Sequence, residues 1–134
     1  MTDQWEHVQR GRELLLGGYQ VQWTPSRMTS SGARTMPYPA YDDVLMKALW
    51  AAQSIVGTDY EYLASYKRVR EVPLGSVSGP ELSTWFTYIL RGERFSDGHI
   101  AQYVESGELL VLLERLIALR DSLPTATGGA AGEE

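Results

Sequence analysis

Leu82, Trp85, Phe86, Ile89 and Leu90 stand at i, i+3, i+4, i+7 and i+8, a complete apolar stripe of an amphipathic helix. Directly before them, Ser78-Gly79-Pro80-Glu81 has the spacing of a capping box with proline in the first turn. Together these features commit residues 78–92 to a helix that needs apolar partners, and five further stretches are expected to be helical. A first helix is expected over 3–16, capped by Thr2, with Trp5, Val8, Leu15 and Leu16 on one face and Gly17-Gly18 ending it. A second starts near Pro39, places Asp42 and Asp43 in its first turn, and carries Tyr41, Val44, Leu45, Ala48, Leu49, Ala52, Ile55 and Val56 before Gly57. Between Lys47 and Gly57 it has no charge, so it is either central to the core or covers an interface. A short helix follows the capping-box spacing Thr58-Asp59-Tyr60-Glu61 and runs to about Arg68. Another spans 98–106, capped by Ser96 or Asp97, and the last runs over 108–123 on Leu109, Leu112, Leu113, Leu116 and Ile117, with Pro124 beyond it.

What remains is short. Residues 19–23 alternate apolar and polar, which reads as an extended segment that packs as an edge or pairs across a dimer. Residues 24–35 are a loop, and the Gly/Ala-rich acidic tail 125–134 is expected to be disordered. The expected fold is all-α: one domain over 1–124, a compact bundle of five or six helices with at most one short extended segment. Its last three helices are expected to form the tightly packed half.

At 134 residues a chain buries roughly two thirds of its unfolded surface and needs no staples. There are none, because it has no cysteine, which excludes disulfides and thiolate metal sites. No apolar run approaches the ~20 residues of a membrane span, and residues 1–10 lack the apolar core of an export signal. A cytoplasmic protein is expected. Residues 1–70 carry eight Lys/Arg against seven Asp/Glu, whereas 71–134 carry four against ten. The acidic second half repels phosphate backbones and argues against a nucleic-acid partner.

The densest chemistry lies in the connection 91–99, where Arg91, Glu93, Arg94, Asp97 and His99 crowd around Phe95 between two glycines. Two readings compete. In the structural one, Arg91 and Arg94 bond Glu93, Asp97 or helix-end carbonyls while Asp97 caps the next helix. In the other, the arginines and helix amides bind a phosphate or carboxylate, and His99 titrates near neutral pH. A third reading has Asp97 or Glu93 orient His99 as a general base, but no nucleophile stands at a recognisable spacing, so no catalytic residue is assigned and an enzyme is the less favoured outcome. No metal or cofactor is expected either, since His7 has no ligand spacing to His99.

Lys67, Arg68 and Arg70 form the one concentrated basic patch. It reads as a solvated helix end, with anion or nucleic-acid contact as the alternative, joined by Arg27 and Arg34 from the loop. The helix pair around Gly107 imitates a DNA-binding turn, but its second helix begins at Glu108 with almost no basic residue near its start.

Arg91-x-Glu93-Arg94-Phe95-x-Asp97-Gly98, followed by an apolar helix, an acidic-glycine break and a leucine-rich helix, resembles the hallmark of an uncharacterised bacterial and phage domain family. The resemblance takes in Pro37-Tyr38-Pro39-x-Tyr41 and covers about 36–120, leaving 1–35 outside. Members often carry cysteine where this chain has Ser96, which argues against obligatory thiol chemistry there. The resemblance implies a helical domain and supplies no mechanism. The function expected from these features is a small protein-interaction or regulatory module, whose partner is another protein or a second copy. A binder of a small phosphate- or nucleotide-like anion, or an enzyme acting on one, at the 91–99 junction is the alternative, and a nucleic-acid binder the last.

Overall fold

The computed structural model describes residues 3–25, 28, 30–33, 37–94 and 98–123. Six helices form the bundle: α1 (Gln4–Leu16), α2 (Asp43–Val56), α3 (Tyr62–Val69), α4 (Gly79–Gly92), α5 (His99–Glu105) and α6 (Glu108–Ala118). Short 3-10 turns occupy Leu74–Ser76 and Arg120–Ser122. The mainly α architecture is as expected, with one addition. The extended segment has a partner: β1 (Gln22–Thr24) pairs antiparallel with β2 (Tyr38–Ala40) in the register Trp23↔Pro39.

That pairing corrects the start of the second helix. Pro39 lies in β2, because proline biases the residue before it towards extended backbone and β1 is there to receive it. The helix begins four residues later, where the Asp42 carboxylate accepts the Val44 N–H at 2.8 Å. In α1 the cap is Asp3, and Thr2 lies outside the described residues. Leu16, expected inside, is 53% exposed. The packing face of α1 turns on Gly11 instead, where a Cβ would run into the Cβ of Ala48, so α1 and α2 press together at a glycine.

Helix α4 is the centre. Its capping box forms as read, with Glu81 N–H bonding Ser78 Oγ at 3.3 Å and Ser78 N–H bonding Glu81 Oε1 at 2.8 Å. Leu82, Phe86 and Ile89 are fully buried, and they meet Leu45 and Leu49 of α2 and Leu109, Leu112, Leu113 and Leu116 of α6 in one core. The uncharged part of α2 is therefore mainly core, although Trp50 remains 54% exposed. The leucines of α6 are core rather than a DNA-reading face. The helix is also shorter than expected, breaking into the 3-10 turn after Ala118.

The polar flank of α4 is buried as well. Thr87 Oγ1 accepts from Gln53 Nε2 at 3.1 Å and from the Asp59 N–H at 3.0 Å; Ser83 donates to the Gly57 carbonyl at 2.7 Å; Thr84 donates to Asp59 Oδ2 at 2.6 Å. These hydroxyls fasten the α2–α3 connection to α4, and they overturn the capping box read at Thr58. Asp59 turns its carboxylate to Thr84 and the Glu61 N–H, so α3 starts at Tyr62 with Glu61 as a cap that makes no side-chain bond. No helix among the described residues is long and apolar enough to cross a membrane.

Candidate functional site at the α4–α5 junction

Glu93 follows the last turn of α4 and organises the junction. Its Oε1 accepts from the Tyr41 hydroxyl at 2.9 Å and the Ile100 N–H at 2.8 Å, while Oε2 accepts from the Gly98 N–H at 3.0 Å. The Tyr41 hydroxyl accepts in turn from the Ala101 N–H at 3.1 Å. The first amides of a helix have no partner within it. In α5 they are met by a carboxylate from α4 and a phenol from the strand–helix connection, for the N-cap, Gly98, has no side chain to offer. Gly98 takes φ 92°, a left-handed conformation that suits glycine, and a Cβ there would lie 2.6 Å from the Trp23 ring. Ser96 and Asp97, expected as the cap, lie outside the described residues, as does Phe95.

His99 points back into the aromatic side of α4. Its ring meets Tyr88 at 4.9 Å and Tyr103 at 5.3 Å, both edge-on. Gly92 makes the room, since a Cβ there would collide with the imidazole. Behind it Tyr66 stacks on Tyr88 at 3.7 Å and 4°, and Trp85 packs edge-on against Tyr66 and Tyr103. Burial pushes the His99 pKa below its ordinary 6.5, against the opposing pull of the Glu93 charge and a hydrogen bond with the Tyr88 main chain. The imidazole is therefore neutral at pH 7, which corrects the expectation that it titrates there. Its Nε2 and the Trp85 Nε1 are buried without hydrogen-bond partners. Glu93 commits its oxygens to Tyr41 and backbone amides, so it does not orient His99 as a general base.

The arginines face the other way. Among the described residues neither Arg91 nor Arg94 forms an ion pair with Glu93, and Asp97, the other carboxylate expected to bond them, lies outside the described residues. Arg94 is exposed. Arg91 places its guanidinium 5.7 Å from the ring centres of both Tyr60 and Tyr62. Tyr60 is 81% exposed and Trp23, lying over Gly98, is 45% exposed. The junction thus has a fully engaged carboxylate within and exposed aromatic rings and guanidinium groups at its surface. Tyr41, Gly92, Trp23 and Tyr60 escaped the sequence reading. A glycine directly before the motif's carboxylate, and tyrosines scattered over 41–62, give no local signal of convergence.

Lys67, Arg68 and Arg70 are exposed at the end of α3, where cations complement the helix dipole, and Arg70 lies 3.7 Å from Glu71. Arg27 and Arg34, the loop cations of the nucleic-acid reading, lie outside the described residues. No group of three or more His, Asp or Glu side chains suited to a metal occurs among the described residues.

Residues 12–122 match the model of a family of unknown function, DUF6508, and the chain belongs to it. The match reaches further towards the N-terminus than the motif resemblance, taking in the C-terminal end of α1 and all of β1. No curated protein and no solved structure matches the chain.

Proposed function

Starting from membership of a family with no assigned activity, we propose that this protein is a small protein-interaction or regulatory module, and that the outer side of the α4–α5 junction is its contact face. One observation carries the reading. Tyr60, with the Arg91 guanidinium over its ring, is 81% exposed, and Trp23 and Arg94 are exposed on the same junction, which Glu93 holds rigid from within. Tyrosine, tryptophan and arginine are the residues that dominate the energetics of protein–protein contacts, above all when a fixed backbone presents them. The face is cationic and aromatic, so the partner it fits is a protein surface that sets carboxylates among apolar side chains. A second copy of this acidic chain meets that description. The competing reading, an anion cradle inside the junction, lacks support, because the inward carboxylate is saturated and the arginines point outward. Cytoplasmic location and bacterial or phage origin belong to the same proposal; they rest on the cysteine-free composition and on the motif 91–98.

The test is sedimentation velocity of the wild type over a concentration series, alone and with proteins captured from a bacterial lysate, beside a Tyr60→Ala/Arg91→Ala variant of unchanged thermal melt. Association that the double variant loses supports the contact face. Association that survives the double variant, or none with either sample, contradicts it.

A further inference from the structure

Away from the junction, a cleft of ≈ 650 Å³ opens between the end of α2, the outer side of α3 and the first turn of α4. Sites for small molecules fall in the range of about 300–1,000 Å³ and combine an apolar wall with a few placed polar groups. Ile55, Val56, Val69, Pro80 and Leu123 give this cleft its apolar wall. Leu123 closes one end by packing against Gly79, where a Cβ would come within 2.8 Å of its Cδ2.

The polar groups in the cleft are nearly all engaged. Ser83 donates to Gly57, and Glu81 closes the capping box. Asp59 accepts from Thr84 and from the Glu61 N–H. Burial raises the Asp59 pKa, but these bonds, a further one from Ser65 and the Arg68 charge outweigh it, so the carboxyl stays ionised below its usual range. Both carboxylates keep their negative charge, Asp59 with its oxygens spent on donors of its own chain and Glu81 with Oε1 on the Ser78 N–H. Arg68 differs. It lines the cleft, is exposed, acts on Asp59 through its charge alone, and makes no ion pair among the described residues. Beside it the first turn of α4 adds the positive end of a 14-residue helix dipole.

We propose that this cleft binds a small apolar carboxylic acid, with its hydrocarbon part against Ile55, Val56, Val69 and Leu123 and its carboxylate on Arg68. An apolar wall selects the body and an uncommitted guanidinium selects the head group. An alcohol of the same length gains only the wall. A cation of the same length meets Arg68 as a like charge.

The experiment is a titration of the 15N-labelled protein with decanoate, decanol and decyltrimethylammonium below their micellar concentrations, followed in amide NMR spectra. Decanoate is expected to shift the amides of Gly57, Gly79 and Ser83 saturably, with decanol weaker and decyltrimethylammonium inert. Arg68→Gln, a surface change that leaves the fold intact, is expected to weaken decanoate about tenfold, the scale of one charge-assisted contact at a partly exposed site, and to leave decanol unchanged. Ile55→Trp, which fills the wall, is expected to abolish both. The proposal is overturned if decanoate gives no saturable shift, if its shifts fall at the junction instead, or if Arg68→Gln binds decanoate as the wild type does. The Arg68→Gln result stands on its own if Ile55→Trp does not fold.

Discussion

The α4–α5 junction and the cleft beside α3 are both rich in charged side chains, yet they use them in opposite ways. At the junction a carboxylate is surrounded by donors from its own chain, so the Glu93 charge visible in the sequence turns out to be a fastening. In the cleft Asp59 and Glu81 also accept bonds from their own chain, but open space remains, and one guanidinium on its rim has no ion-pair partner among the described residues. The difference is one of surplus. A carboxylate met on every side by donors of its own chain builds structure, whereas a site for a second molecule needs an uncommitted group beside unfilled volume.

The comparison can be broken most severely at Gly92. If His99 is fixed by the room that glycine leaves, Gly92→Ala forces the imidazole out of its aromatic setting and destabilises the protein by about 1–3 kcal/mol, despite the better helix propensity of alanine. Urea denaturation measures this, and an unchanged midpoint removes the packing argument. Next in size, Tyr41→Phe takes a donor from Glu93 and an acceptor from the Ala101 N–H, with an expected loss of about 1–2 kcal/mol in the same assay.

A smaller effect comes from pH. Because folding lowers the His99 pKa, the unfolded chain takes up a proton that the native chain refuses as pH falls below 6.5. Stability from this group is complete above that pH and declines beneath it, by at most about 1.4 kcal/mol per pH unit for one proton. His99→Phe should flatten the stability profile below pH 6.5, and a profile unchanged by the substitution contradicts the buried neutral imidazole. Smallest of all, Arg68→Gln should shift stability by less than about 0.5 kcal/mol, since an exposed cation without an ion pair holds nothing together. A larger loss would make Arg68 part of the fastening and erase the contrast with the junction.

How much of this was legible in the sequence depends on the distance over which each feature is decided. Helix α4 was fully legible, because its stripe and both capping-box bonds involve neighbours within a turn or two. The strand at Pro39 was not, since its partner is β1, across a loop, and a local reading gave that proline to a helix. Thr58 carried the same capping signal as Ser78, but Thr84 and Thr87 of α4 draw in Asp59, and a long-range bond overrode the local pattern. Of the candidate site, the sequence located the junction and misjudged its wiring. Glu93 finds Tyr41, 52 positions away, rather than the arginines beside it. The cleft gave no warning, being lined from Ser54 to Leu123 by residues that share no motif.

The division of the junction into an inner scaffold and an outer contact face is tested most directly by measuring the unfolding free energy of Glu93→Gln beside that of Tyr60→Ala/Arg91→Ala. Glutamine removes the charge and sets an amide donor against donors, so a loss of about 1.5–3 kcal/mol is expected. The outer pair should cost no more than about 1 kcal/mol, the scale of an exposed cation–π contact. A Glu93→Gln protein as stable as the wild type, or an outer double variant that unfolds, would contradict the account.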